Sequence, residues 1–504
     1  MELELKRKTL NQFRQTYHAA WGHEEIRECI VSDSLPDVSR IVSVSGHVQI
    51  KESGLEEGAV KLNGELCISV LYIPEGESRP KVLSQQIPIR SIKEDPRVSR
   101  KGVLYGTMLW IGGDAKLLNP RKILLRCAVS CRAEVYEQSN LELVCDISEQ
   151  ENSIEKRIEN VQFSGVREVS EKKFTFSDVL HVSSAKPPVE EILFYRPNFG
   201  TPEGKVIGRK LVCKGEMTLS VVYRNGAEIH NTQFEMPYSQ VLELSSGYEE
   251  SEAEVQVFPV AVQVAVRDND VEAWVEAALQ ALIRNTETGI FLTDAYSAVG
   301  ELETEREAYS VTEAFLREGK REQIRYFCES GIPAGQVVDC CITLSEQSVE
   351  ERDGVRLFCA DFRADILYLS EDGALCCVSF NIPYETALPP ELDCDVILSC
   401  SPAGDGNAVP VTGGLELRFH ADVFWTKLSE RTLTCVSKAV LNTECGCPVD
   451  RPSLVLHYVC RGDDLWSIAK CCSASPSDIC AVNGISGDPL QEGAVLLIPT
   501  KRLI

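Results

Sequence analysis

Nowhere in these 504 residues do roughly eighteen apolar residues follow one another, so no membrane-spanning helix can be written into the chain. The start, Met1-Glu2-Leu3-Glu4-Leu5-Lys6-Arg7-Lys8, also lacks the apolar run that follows the basic cluster of a secretory signal. The expected compartment is therefore the cytoplasm. Positive charge is short as well: 51 Lys and Arg face 76 Asp and Glu, leaving a net charge of −25 and a pI near 4.8. Such a field repels nucleic acid instead of steering it in, which removes DNA and RNA from the expected partners. The acidity lies upstream of Arg451, because from there to Ile504 five basic residues balance five acidic ones.

Histidine is scarce too. The seven, His18, His23, His47, His181, His230, His420 and His457, form no pair at metal-ligand spacing. His23-Glu24 opens like a zinc-protease helix, but Arg27 stands where the second histidine is required. Gly200-Thr201-Pro202-Glu203-Gly204-Lys205 is one residue short of a phosphate loop and continues with Val206 in place of the magnesium-binding hydroxyl. No Gly-x-Ser-x-Gly elbow occurs. No catalytic residue, metal ligand or cofactor is nominated, and the chain is expected not to be an enzyme.

Cysteine is the exception to this poverty. There are 21, an odd number, with doublets at Cys340-Cys341, Cys376-Cys377 and Cys471-Cys472, which suits reduced thiols packed as small hydrophobes better than a disulfide framework. Six precede residue 300 and fifteen follow it. Cys445-Gly446-Cys447 is expected to be exposed and free to cross-link or bind metal.

The chain also repeats itself. Gly64-Glu65-Leu66-Cys67-Ile68-Ser69-Val70-Leu71-Tyr72 returns as Gly215-Glu216-Met217-Thr218-Leu219-Ser220-Val221-Val222-Tyr223 and as Ala360-Asp361-Phe362-Arg363-Ala364-Asp365-Ile366-Leu367-Tyr368, at spacings of 151 and 145. In each copy every second residue is apolar, the pattern of an antiparallel strand with one face in a core. Ile87-Pro88, Met236-Pro237 and Ile382-Pro383 follow at matching distances, and proline, having no ladder donor, places these steps at a strand start or an edge. Further alternation, at Val42, Val44, Val48 and Ile50, from Leu125 to Val135 and from Leu415 to Val423, adds strands. The copy ends correspond, Cys145-Asp146-Ile147-Ser148 with Thr293-Asp294-Ala295-Tyr296-Ser297. A period this long means whole domains.

The expectation is a mainly β chain of three tandem β-sandwich-like units and a small α+β (βααβ) tail. The units are residues 1–150 with an N-terminal helical segment, 160–302 and 308–443, then a linker, 444–453, and the tail, 454–501. Helix is expected over Leu10 to Glu28 and Val311 to Gln323, and the charged stretches Glu149 to Glu159 and Glu301 to Glu307 are expected to join the units.

In the tail, Leu456 to Val459 reads as a strand, Gly462-Asp463 as a turn, and Asp464 as the N-cap of a helix that turns Leu465, Ile468 and Ala469 inward. Ser475-Pro476 starts a second helix with Ile479 and Val482 on its buried side, Asn483-Gly484 ends it, and Val495 to Ile498 returns as a strand. This ordered set resembles a LysM domain. Tandem β units with the Gly-Glu-Leu-x-Ile-x-Val-Leu-Tyr strand ahead of such a tail resemble the SipL-like spore-coat morphogenetic proteins of endospore-forming bacteria, with their SPOCS domains. The resemblance implies a shallow ligand groove between Gly462, Asp463, Asp464 and Leu465 on one side and Asn483, Gly484, Ile485 and Ser486 on the other. The same motif also serves the fold, with Gly462, Asn483, Gly484 and Pro499 as turn residues and Trp466, Ile468 and Ile498 as core. The tail departs from the usual pattern in Asp464, where Thr or Ser is common, and in Cys472-Ser473, where an aromatic residue and Gly are common. The resemblance further implies a non-catalytic scaffold in the mother-cell cytoplasm at the forespore surface, its LysM tail binding the coat-basement morphogenetic ATPase. The alternative is a cell-wall protein that binds peptidoglycan or N-acetylglucosamine oligomers.

Overall fold

The computed structural model describes residues 2–148, 154–248, 251–298, 300–329, 334–389, 396–442 and 452–500. Most of the expected linker, Cys445-Gly446-Cys447 included, lies outside them.

The first unit holds β1 (Leu5–Ile30), β2 (Val38–Glu56), β3 (Ala59–Pro74), β4 (Lys81–Glu94), β5 (Val103–Asn119) and β6 (Lys122–Ile147). The second holds β7 (Ile154–Leu180), β8 (Glu191–Phe199), β9 (Glu203–Ile207), β10 (Lys210–Asn225), β11 (Glu228–Glu243), β12 (Ser251–Arg267) and β13 (Asp270–Ser297). The third holds β14 (Glu301–Glu329), β15 (Ala334–Arg352), β16 (Val355–Ser370), β17 (Leu375–Ala387), β18 (Val396–Pro402), β19 (Asn407–Val411) and β20 (Gly414–Asn442).

The repeated nine-residue strings lie in β3, β10 and β16, the central strands of the sheets β2-β3-β4, β8-β10-β11 and β15-β16-β17. Pro88, Pro237 and Pro383 fall in β4, β11 and β17, which are edge strands, so no interior ladder bond is lost. The inward residues of each central strand face a second sheet. In the first unit Leu62, Leu66, Ile68 and Val70 pack against Ile123, Leu125, Val129 and Cys131 of β6. Met217, Leu219 and Val221 meet Val271, Val275 and Leu279 of β13, and Phe362 and Ile366 meet Leu417, Phe419 and Val423 of β20. Each such side chain contributes about 1.5–3 kcal/mol by leaving water.

The expected helices over Leu10 to Glu28 and Val311 to Gln323 are strands. β1 runs antiparallel to β6 along its whole length, and β14 to β20. A bulge explains the misleading pattern. Thr16 is skipped in the register with β6, so the buried side passes from Leu10 ahead of it to Tyr17 beyond it, and the seven-residue step to Tyr17 and four-residue step to Trp21 imitate a helical period. The bulge recurs as Arg167 in β7 and Glu313 in β14. A second one recurs on the opposite strands as Cys145, Thr293 and Ser437. The charged stretches are corrected likewise: the part of Glu149 to Glu159 from Ile154 onward opens β7, and Glu301 to Glu307 opens β14, so both are ladder.

The units do not hang as beads. Equivalent residues of all three meet in shared clusters: Val42, Leu193 and Val338 with Leu71, Val222 and Leu367; Leu143, Phe291 and Cys435; Val144, Leu292 and Val436 with Ile147, Ala295 and Ala439. The units therefore surround a common axis with approximate threefold symmetry. On it lies a cavity of about 200 Å³, walled by Gly46–Val48, Pro197–Phe199 and Ile342–Leu344, which are equivalent positions of β2, β8 and β15. Every interface has its own polar tie. Lys51 Nζ donates to the Val260 carbonyl at 2.8 Å between units one and two, and the Thr343 hydroxyl donates to the Ile111 carbonyl at 2.5 Å between three and one. Between two and three, buried Arg196 donates to both oxygens of Asp339 at 2.6 and 2.9 Å and to Asp405 at 3.1 Å. Phe13 of β1 also bridges to Val166 of β7, which joins β12-β13-β7 and β1-β6-β5 into one six-stranded sheet.

Candidate functional site

The C-terminal module consists of β21 (Leu454–Tyr458), α1 (Leu465–Cys471), α2 (Pro476–Asn483) and β22 (Val495–Pro499). The two strands pair antiparallel, Leu456 opposite Leu497. Gly462 turns the chain with φ +94°, a conformation that side chains resist. Asp464 is the N-cap of α1 and accepts from the Ser467 amide at 2.7 Å, while Leu465, Ile468 and Ala469 are buried beneath it. Pro476 opens α2, and the Ser475 hydroxyl bonds that of Ser477 instead of capping the helix. Gly484 closes α2 in the left-handed region, φ +64°.

One residue expected to face inward does not. Ile479 is enclosed, but Val482, expected beside it, is 49% exposed. The residue facing inward one turn after Ile479 is Asn483. Its amide donates to the Ile479 carbonyl at 2.8 Å and the Leu497 carbonyl at 2.7 Å, and its oxygen accepts from the Leu497 amide at 2.8 Å. These bonds clamp α2 to β22 and rotate Val482 outward.

The eight candidate groove residues divide by what they already hold. Asp463 accepts from His457 Nε2 and the Cys460 amide, both at 2.9 Å, and the histidine contact keeps its carboxyl below the usual carboxylate range. Asp464, besides capping α1, forms an ion pair with Arg157 at 3.3 Å, and the Ser467 bond is the main reason its carboxyl also titrates low. Leu465 is buried, and its amide donates to Asp488 at 2.9 Å, a bond that draws the two loops together. Asn483 is the clamp already described. Ile485 packs half-buried on the module's core, while Gly462, Gly484 and Ser486 are exposed. The groove's polar groups are thus largely committed within the chain. Asp488 was not singled out from the sequence, because a lone Asp-Pro step reads only as a turn.

Trp466, expected in the module's core, packs half-buried against that core and also lies on a seam. Its indole Nε1 donates to Asp294 at 2.8 Å and its ring meets Tyr296 edge-on, centroids 5.0 Å apart. Lys470 donates to both oxygens of Asp294 at 2.8 and 2.9 Å, and the Tyr296 hydroxyl donates to the Ala474 carbonyl at 2.6 Å. Arg306 completes the shell around Asp294. Burial pushes the Asp294 carboxyl up, but the bonds from Lys470 and Trp466 outweigh it and hold the group below its usual range. Tyr296 is itself counted in the module's core cluster. The module is therefore seated on the second unit.

Outside the seam, the module's sheet turns Leu454, Leu456 and Tyr458 outward from β21 beside Val495 of β22, with Leu456 68% and Tyr458 64% exposed. No group of His, Cys, Asp and Glu among the described residues could hold a metal ion, and the described cysteines are all free thiols. No described helix is long and apolar enough to cross a membrane.

Comparison with known families places two kinds of domain in the chain. Residues 37–100 and 188–267 match the SPOCS domain of SipL, and residues 457–499 match the LysM domain. The matched SPOCS segments begin near β2 and β8 and cover the inner sheets of the first two units, and β14–β20 repeat the same strand plan. The layout, SPOCS plus LysM, is that of a SipL-like protein. No curated protein and no solved structure matches the chain.

Proposed function

We propose that this SipL-like chain is a non-catalytic scaffold in endospore coat assembly, working in the mother-cell cytoplasm at the forespore surface. Three SPOCS-like units form its rigid body, and the LysM domain is the adapter that engages a coat-basement morphogenetic ATPase. SPOCS and LysM domains are of the binding type, and a SipL-like make-up fits sporulation.

One observation carries the choice of protein over sugar: the groove acids are already used. Asp463 is held by His457, and Asp464 by its own helix and Arg157. A sugar needs free donors and acceptors at that rim. The apolar outer face of Leu454, Leu456, Tyr458 and Val495 offers instead the surface a protein covers. The competing reading, peptidoglycan glycan in the groove, rests on the LysM match itself.

The test uses the purified full chain. It is expected to capture a coat-basement ATPase from sporulating cells, and Ile485→Asp or Leu456→Asp, whichever surface is used, is expected to weaken capture by roughly tenfold or more. A chain that captures no coat protein but binds an N-acetylglucosamine hexamer at micromolar affinity would overturn this reading in favour of the other.

A further inference from the structure

We propose that the LysM domain is latched in cis on the second unit, and that the latch keeps the Trp466 and Lys470 face of α1 closed until it opens. The claim deepens the adapter reading and rests on it only for the consequence of opening.

The threefold repetition of the body provides an internal control. Each unit has a residue directly after its second bulge that could receive the module: Asp146, Asp294 and Lys438. Asp146 is taken by Lys6 at 3.1 Å and Lys156 at 2.8 Å, and Lys438 pairs with Glu305 at 3.1 Å. Two residues further on stand Ser148, Tyr296 and Val440. Only the second unit joins a carboxylate to an aromatic ring at these two positions, and the module occupies that one.

The seat is also built as interfaces are built. A nearly buried carboxylate receives an indole N–H and an ammonium group, charge-assisted bonds that are strong out of water. The Tyr296 hydroxyl reaches a backbone carbonyl at the turn after α1, a contact that fixes orientation as well as position. Arg157 extends the seam to Asp464, which stands on the first rim of the groove. A ligand that spans both rims, or covers α1, therefore competes with the second unit for the same atoms. Its apparent affinity falls by the fraction of time the domain is free.

Small-angle scattering of the full chain tests the latch. Eleven residues separate Asn442 from Leu454, and a tether of that length reaches roughly 35–40 Å when extended. The wild type is expected to scatter as one compact particle. Asp294→Ala with Tyr296→Ala is expected to lengthen the maximum dimension by roughly 20 Å or more, whereas Asp146→Ala leaves it unchanged. Because Tyr296 is buried, Lys470→Ala with Arg157→Ala serves as a second release variant that leaves both cores intact. Circular dichroism confirms that each variant is folded. A wild type already as extended as the variants, or folded variants as compact as the wild type, would overturn the latch. In a parallel capture experiment Asp294→Ala with Tyr296→Ala, which leaves the Trp466 and Lys470 face itself unaltered, is expected to bind the coat-basement protein about tenfold more tightly than the wild type. Equal affinity would show that the seat does not gate the domain. Capture by no form at all would count against the adapter reading, while scattering alone decides the latch.

Discussion

His47 shows how much one side chain can reveal about its surroundings. It stands on β2 beside the axis, 7% exposed, its ring 5.4 Å from that of Tyr195 in the second unit. Gln49 Oε1 accepts from Lys51, which turns its amide nitrogen toward His47 Nε2, 3.3 Å away. Burial, with the nearby Lys51 charge adding, drives its pKa from 6.5 down to about 4. The folded chain therefore keeps His47 neutral where the unfolded chain protonates it. Stability from this group is complete above pH 6.5 and is lost as pH falls toward 4, about 3 kcal/mol in all. Thermal melts of the wild type are expected to slope downward across that window, and those of His47→Gln to be flatter. Equal slopes would mean that another group dominates. Asp294 obeys the same sign rule at lower pH: its stabilised carboxylate holds the seat through neutrality and loses it only on acidification past the ordinary carboxylate range.

Among the elements, those with a clean period were legible and those with a bulge were not. β3, β10 and β16 contain no extra residue, and their period marks the face turned to the unit's own core, whereas the burial of Leu71, Val222 and Leu367 on the other face comes from the neighbouring units. β1 and β14 contain an extra residue that changes the buried parity, and they read as helices until a partner strand is known. In the LysM domain the turn glycines, the Asp464 cap and the inward face of α1 followed from capping and period, whereas Val482 did not, because hydrogen bonds to β22 set the rotation of a two-turn helix. That clamp can be measured. Asn483→Ala removes three bonds and leaves the Leu497 amide and carbonyl without their partner, at a cost of about 2–4 kcal/mol to the domain. Hydrogen exchange of residues 476–499 is expected to accelerate strongly while β3 and β6 are unaffected. Unchanged exchange there would mean that Asn483 does not clamp α2 to β22.

At the scale of the whole molecule the units share their stability. Clusters in which Leu71, Val222 and Leu367 or Leu143, Phe291 and Cys435 meet belong to no single unit, and the Arg196, Asp339 and Asp405 group is closed only when the second and third units touch. Calorimetry is expected to show the body melting in one transition. Asp339→Ala, which strips a buried arginine of its bidentate partner, is expected to lower that transition as a whole, with a loss of about 3–5 kcal/mol. Three separate transitions, or a loss confined to one of them, would describe independent beads. Local patterning was sufficient to set the repeats, the inward faces of the central strands and the two domain kinds, because periodicity and turn chemistry act over a few residues. The closing of three units about one axis, the strand state of Leu10 to Glu28, and the seating of Trp466 on Asp294 and Tyr296 needed the folded chain. Each depends on a partner roughly a hundred residues or more away in sequence, and no local preference encodes which surface it will meet.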